Sequence, residues 1–236
     1  MKTIGYPLAM LACLAFSFNS SAQTVSGQID GYDYVDLGLG VKWATYNVGG
    51  EKPTDFGGYF AWGETETKTS YTWENYKWCN GSFNSLTRYC TIKKMGKRDK
   101  TTELIPNDDA ATANWGPAWR MPSADELQAL VDSCKWEWTN NYNKSGVAGS
   151  VGTSKINGNT IFLPAAGFFE GDSVKNVGIR GQYISNKIAD YDKFEVFNLW
   201  FGNTSIENDF IGRQYGNSIR AVTKGIVPKA KNSKKR

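Results

Sequence analysis

The 236-residue chain contains no histidine. That absence removes Ser-His-Asp and Cys-His triads, the histidine ligands of ordinary catalytic zinc sites, and imidazole as a general acid or base. Hydrolysis without histidine falls chiefly to glycosidases with two carboxylates, for which the candidates are Glu64, Glu66, Asp108 and Asp109. No spacing among these four brings them to one cleft, and an acid pair at a helix start suits capping and the helix dipole. Cysteine is scarce as well, and none of its spacings is C-x-x-C, so a zinc site is not expected. The sequence has no internal repeat, and its one long apolar stretch, Ile4 to Phe18, is too short and too weakly flanked to span a bilayer.

That stretch follows Met1-Lys2 and precedes Asn19-Ser-Ser-Ala22, the pattern of a secretory signal with small residues ahead of the cut. Cleavage is expected between Ala22 and Gln23, giving signal peptide 1–22, an N-terminal linker 23–31, a domain 32–223 and a basic disordered tail 224–236. One domain of this length buries roughly 70% of its unfolded surface. Six positive charges and no acid fall in residues 224–236, whereas residues 23–223 hold 20 basic and 23 acidic side chains. The basic character belongs to the tail, which is suited to anionic surfaces such as lipopolysaccharide or phospholipid. Export and the absence of interleaved aromatics argue against nucleic acid as a partner. An exported chain favours disulfides, and Cys79, Cys90 and Cys134 permit three single pairings.

Trp119-Arg-Met-Pro-Ser-Ala-Asp-Glu-Leu127 reads as a helix start. Ser123 and Glu126 form a capping box, Asp125 and Glu126 complement the dipole, and Leu127, Leu130, Val131 and Cys134 make one buried stripe over 124–134. A brief helix capped by Asn107 or Asp108 is expected through Ala110, Ala111 and Ala113 toward Trp115. Short strands and turns fill the N-terminal third, and residues 64–106 read as long loop. Trp136-Glu-Trp-Thr139 alternates as a strand does, 140–152 is turn-rich, and Thr160 to Leu163 reads as a buried strand closed by Pro164. Tyr183 to Ser185, Glu195 to Phe201 and Ser218 to Val222 complete an α+β chain with antiparallel sheet.

Several segments in order carry a resemblance: Tyr34-Val-Asp-Leu-Gly-Leu39, Lys42-Trp-Ala-Thr45, Gly58-Tyr-Phe-Ala-Trp-Gly-Glu64, Asp108-Asp-Ala-Ala111, the Trp119 run, Ile161-Phe-Leu-Pro-Ala-Ala-Gly167 and Gly216-Asn-Ser-Ile-Arg-Ala-Val222. Together they resemble the Fibrobacter succinogenes major paralogous domain family of Bacteroidetes-type bacteria, with its C-type-lectin-like fold. The resemblance implies two short helices packed on small antiparallel sheets, long loops on one side, and termini brought together. It also implies a core role for Trp43, Trp62, Trp115 and Trp119. Similar domains often carry cysteines matching Cys79 and Cys134, so that disulfide is implied, with Cys79–Cys90 as its rival.

The related formylglycine-generating oxidases rely on later cysteines that this chain lacks, since none follows Cys134. Ile105-Pro-Asn107 lacks the leading ligand of a sugar-binding calcium triplet, and no W-N-D follows. No cofactor is expected, although Asp108 and Asp109 offer oxygen ligands for a structural calcium ion. Related folds display variable loops over a rigid base in the last third. The resemblance thereby points to Lys187, Asp190, Tyr191, Asp192, Arg213 and Tyr215 as ligand-binding residues, while Ile184 stands where similar domains carry an aromatic. The expectation is an exported envelope or surface protein that recognises a glycan or protein ligand without catalysis. The alternatives are a carboxylate-based glycan-active enzyme and a structural subunit of a surface assembly.

Overall fold

The computed structural model describes residues 22–189 and 194–225. Its helix start follows directly from local side-chain chemistry. Ser123 is extended and its hydroxyl accepts the Glu126 N–H at 3.1 Å, while Glu126 Oε2 accepts the Ser123 N–H at 2.8 Å. Arg120 grips the same carboxylate through both terminal nitrogens, at 2.7 and 2.6 Å. The resulting helix α2, Ala124–Ser133, buries Leu127 and Leu130 and hands the chain to a strand at Cys134. The shorter helix α1, Ala110–Trp115, is capped by Asp109, one residue beyond the expected cap. Residues Pro106–Asp108 form a 3-10 turn that carries Asp109 into the capping position, where its carboxylate accepts the Thr112 N–H at 2.9 Å.

Among the described residues four small antiparallel sheets accompany these helices, so the class is α+β. The first joins β1 (Gly27–Ile29), β2 (Tyr32–Asp36) and β3 (Lys42–Ala44) to the last strand among the described residues, β12 (Val222–Thr223), through Val222 opposite Trp43. The second is the meander β4 (Cys134–Thr139), β5 (Gly149–Ser154) and β6 (Thr160–Pro164). The hairpin β7 (Phe168–Glu170) and β8 (Ser173–Lys175) comes next. A three-stranded sheet of β9 (Gly181–Ile188), β10 (Glu195–Phe201) and β11 (Ile206–Gly212) completes the set, and α2 packs on it.

Successive residues of a strand point to opposite faces, and here both faces are buried. Trp43 and Tyr183 enter one core with Val35, Leu127, Ile161 and Leu199, while their neighbours Ala44 and Ile184 enter another with Phe60, Trp62, Trp115 and Trp119. The four tryptophans expected in the core are buried. The long loop region holds only short 3-10 turns, yet it has a core of its own around Ala61, Tyr71, Tyr76, Leu86, Cys90 and Met95. Asp99 orders its return by accepting the N–H groups of Tyr89, Cys90 and Thr101 at 2.8 to 3.1 Å.

Several expectations are corrected. Residues 23–31 are not a linker: Gln23 and Thr24 are tied to β6, and β1 is an edge of the first sheet. The turn-rich stretch 140–152 contains the start of β5, and β11 was not anticipated. The implied Cys79–Cys134 disulfide is absent. All three described cysteines are free, with Cys79 donating to the Trp73 carbonyl in the loop-region core and Cys134 buried in the core under α2. Burial pushes the Cys134 thiol up to about 11. Among the described residues no helix is long and apolar enough to cross a membrane. Signal residues 1–21 and tail residues from 226 onward lie outside the described residues.

Candidate functional site

Three of the four candidate acids are consumed by local structure. Asp108 is buried and accepts the Tyr89 hydroxyl at 2.5 Å and Arg88 at 2.7 Å, with Lys77 at 4.0 Å. The Arg88 guanidinium lies 5.0 Å from the ring centres of both Trp78 and Tyr89, a cation–π clamp that fixes it on the carboxylate. Burial and the Asp108 bond push the Tyr89 hydroxyl well above its usual range, so it stays a donor. Asp109 accepts the N–H groups of Thr112 and Met121, and burial raises its pKa against the pull of those bonds. Glu64 pairs with Lys68 at 3.0 Å and accepts the Lys77 N–H at 2.8 Å. Glu66 alone is exposed. Among the described residues no three His, Cys, Asp or Glu side chains cluster as metal ligands.

The six loop residues separate in the structure. Arg213 is corrected outright: it is fully buried, 5.3 Å from the Trp62 ring centre, and both terminal nitrogens donate to the Tyr89 carbonyl at 3.3 Å. Its cation ties Tyr89, in the long loop region, to Trp62 within the main core, so it has no face for a ligand. Tyr215 is half-buried with its ring against Phe168, and burial followed by nearby Glu170 raises its hydroxyl pKa. Lys187 is half-exposed on β9, with its backbone N–H on the Ser185 hydroxyl and its main chain in an isolated antiparallel β-bridge with Glu103. Asp190, Tyr191 and Asp192 lie outside the described residues. Ile184 is fully buried, so the position offers no surface.

A recess elsewhere combines the chemistry that recognition needs. Trp136 and Trp138 stand two apart on β4 and therefore share one face. Trp136 sits opposite Gly152, where an added Cβ would lie 2.7 Å from its ring, so the indole lies flat across the neighbouring strand. Its N–H donates to the Val131 carbonyl at 3.2 Å, and the Trp138 N–H donates to Asn140 Oδ1 at 2.7 Å. Phe201 braces Trp138 edge-on at 6.3 Å. Facing them is the turn Gly202-Asn-Thr-Ser-Ile206, closed by the Gly202 N–H on the Ser205 carbonyl at 2.9 Å, with Asn203, Thr204 and Ser205 exposed. The space between has a volume of about 170 Å³ and also touches Glu137 and Ser150. Both indoles keep part of their surface in solvent.

No family model, curated protein or solved structure matches the chain. The functional reading therefore rests on the residues themselves. Half of the recess was legible in the alternation of Trp136 and Trp138. Its other half was not, because the turn after β10 meets β4 only through tertiary packing.

Proposed function

We propose that the chain is an exported cell-envelope protein with a C-type-lectin-like domain that acts by noncovalent recognition, and that its ligand is a glycan lying across the Trp136–Trp138 recess. The observation that carries this reading is the pair of half-exposed indoles beside the polar turn Asn203-Thr204-Ser205. An indole face matches the C–H faces of a pyranose ring, and hydroxyl and amide groups at the edge match its hydroxyls. At about 170 Å³ the space is smaller than the roughly 300–1,000 Å³ of pockets that enclose small molecules. It suits one unit of a chain that continues along the surface. The pairing of the late strand β12 with the early strand β3, the two helices on small antiparallel sheets and the long loop region fit the layout that the family resemblance implies. The engagement of Glu64, Asp108 and Asp109 in structural contacts supports the noncatalytic reading.

The test is a glycan array probed with residues 23–236, with calcium and with chelator, beside a chain ending at Val222. Binding that survives tail removal and falls at least about tenfold on Trp138→Ala supports the reading, since a tenfold change needs only about 1.4 kcal/mol of lost contact. Binding that disappears with the tail, or that ignores Trp138→Ala, refutes it.

A further inference from the structure

Gln23, the residue expected to lead the exported chain, is held on three sides. Its amide Nε2 donates to the Thr45 carbonyl at 2.6 Å, its Oε1 accepts the Phe162 N–H at 2.6 Å, and its backbone nitrogen donates to the Tyr142 hydroxyl at 2.6 Å. Tyr142 is a fixed partner, buried and stacked on Phe162 with ring centres 3.8 Å apart and planes 3° from parallel. The next residue is locked as well, because Thr24 N–H reaches the Thr160 carbonyl at 3.0 Å and Thr160 N–H reaches the Thr24 hydroxyl at 2.9 Å. On the other side of the expected cut, the Ala22 carbonyl accepts the Thr160 hydroxyl at 2.9 Å.

We infer that the fold contains a seat for the residue at which the leader is removed, and that this seat keeps an amino-terminal Gln23 in its open, uncyclised form. The inference rests on cleavage after Ala22. A free amino-terminal glutamine cyclises when its α-amine attacks the side-chain Cδ: the N–Cδ bond forms, the Cδ–Nε2 bond breaks, and Nε2 leaves as ammonia with a proton from the amine. The seat opposes each part of that step. The amine is directed to Tyr142, the leaving nitrogen to Thr45 and the carbonyl oxygen to Phe162, so ring closure requires all three contacts to open. The same geometry sets an order of events. With the Ala22 carbonyl and the Gln23 N–H both bonded in the folded chain, a protease cannot draw that peptide into an extended cleft, and the leader is removed before the domain closes.

The experiment follows ammonia loss by intact-mass spectrometry on the exported chain beginning at Gln23, folded in buffer and unfolded in urea at the same mildly alkaline pH. The expected result is cyclisation at least about tenfold slower in the folded chain, set by the local opening equilibrium. Equal rates overturn the inference. Tyr142→Phe keeps the stacked ring and removes the amine's partner, and is expected to bring the folded rate toward the unfolded one. An unchanged rate in that variant counts against the seat. Gln23→Ala loses two short bonds and is expected to melt roughly 4–8 °C lower, and an unchanged melt is again a refutation. An exported chain that begins elsewhere would remove the cleavage reading, while the Gln23→Ala melt would still report the side-chain clamp.

Discussion

Replacing Glu126 by alanine removes three hydrogen bonds at once, one from the Ser123 N–H and two from Arg120. Loss of the bond to the Ser123 N–H, with the Ser123 hydroxyl still capping the helix, costs about 0.5–1.5 kcal/mol. The Arg120 pair is about a third exposed on the arginine side, so its share is held to the roughly 0.2–1 kcal/mol of a partly screened pair. The sum, about 1–2.5 kcal/mol, corresponds to a melting point lower by roughly 2–10 °C in a domain of this size. The pH dependence follows from the same contacts. Burial works against the Glu126 charge, but the bonds from Arg120 and Ser123 outweigh it and hold the pKa below the ordinary 4.5. The carboxylate's contribution is therefore complete above about pH 4.5 and is lost as pH falls through the lower folded value. Asp109 shifts the other way, but it is present in both proteins and cancels to first order in the difference. Urea titrations at neutral pH and near pH 3 are the assay, with Glu126→Gln as an intermediate that keeps an acceptor for Ser123. A midpoint unchanged by Glu126→Ala at neutral pH, or a gap that persists undiminished in acid, refutes the reasoning.

Asn203→Ala, on an exposed turn, is expected to weaken glycan binding at least about threefold with an unchanged melt, read by titration calorimetry; full affinity would detach the turn from the recess. Arg213→Ala leaves a cavity and an unpaired Tyr89 carbonyl, and should destabilise by about 3–5 kcal/mol in denaturant titrations without any specific binding defect in the protein that folds. Thiol labelling of the native protein with iodoacetamide should modify Cys79 first, because Cys90 and Cys134 are buried and the Cys134 thiol sits near 11. Labelling of Cys134 at the rate of Cys79 would contradict its burial. Calcium and chelator are expected to give the same melting temperature, since the Asp108 and Asp109 carboxylates already hold protein donors; a calcium-dependent rise would mean that these donors give way to a metal.

Elements whose cause is local were readable. The α2 cap needs only residues 120–126, the buried strand at Thr160 declares itself by four apolar or β-branched residues and a proline, and Glu195–Phe201 alternates and matches β10 end to end. Elements whose cause lies elsewhere were not. The β5 sequence Gly-Ser-Val-Gly-Thr-Ser looks like a turn because its residues are small, but they are small to let neighbouring rings lie on the strand, Trp136 over Gly152 and Phe162 over Gly149. Strand β11 carries Glu207, Asn208 and Asp209, poor strand formers that are tolerated at an edge paired only with β10. Arg213 reads as a loop cation until the Trp62 ring and the Tyr89 carbonyl are found around it. The candidate site divides along the same line, one tryptophan pair from a single strand and one turn from far along the chain.

The pairing of β12 with β3 has a kinetic consequence. Trp43 and Val222 sit at opposite ends of the described chain, so the first sheet cannot be completed while the polypeptide is still being delivered. Contacts of such long separation are slow to form, because chain entropy is lost before they stabilise anything. Until the last residues arrive, the β3 edge and the Trp43 face lack their final cover, a state prone to association with other chains. On the proposed export route, a chain delivered in linear fashion would spend its whole passage incomplete and close in one late step, and its need for holding chaperones in transit, rather than its final stability, would be the quantity most sensitive to shortening it ahead of Val222.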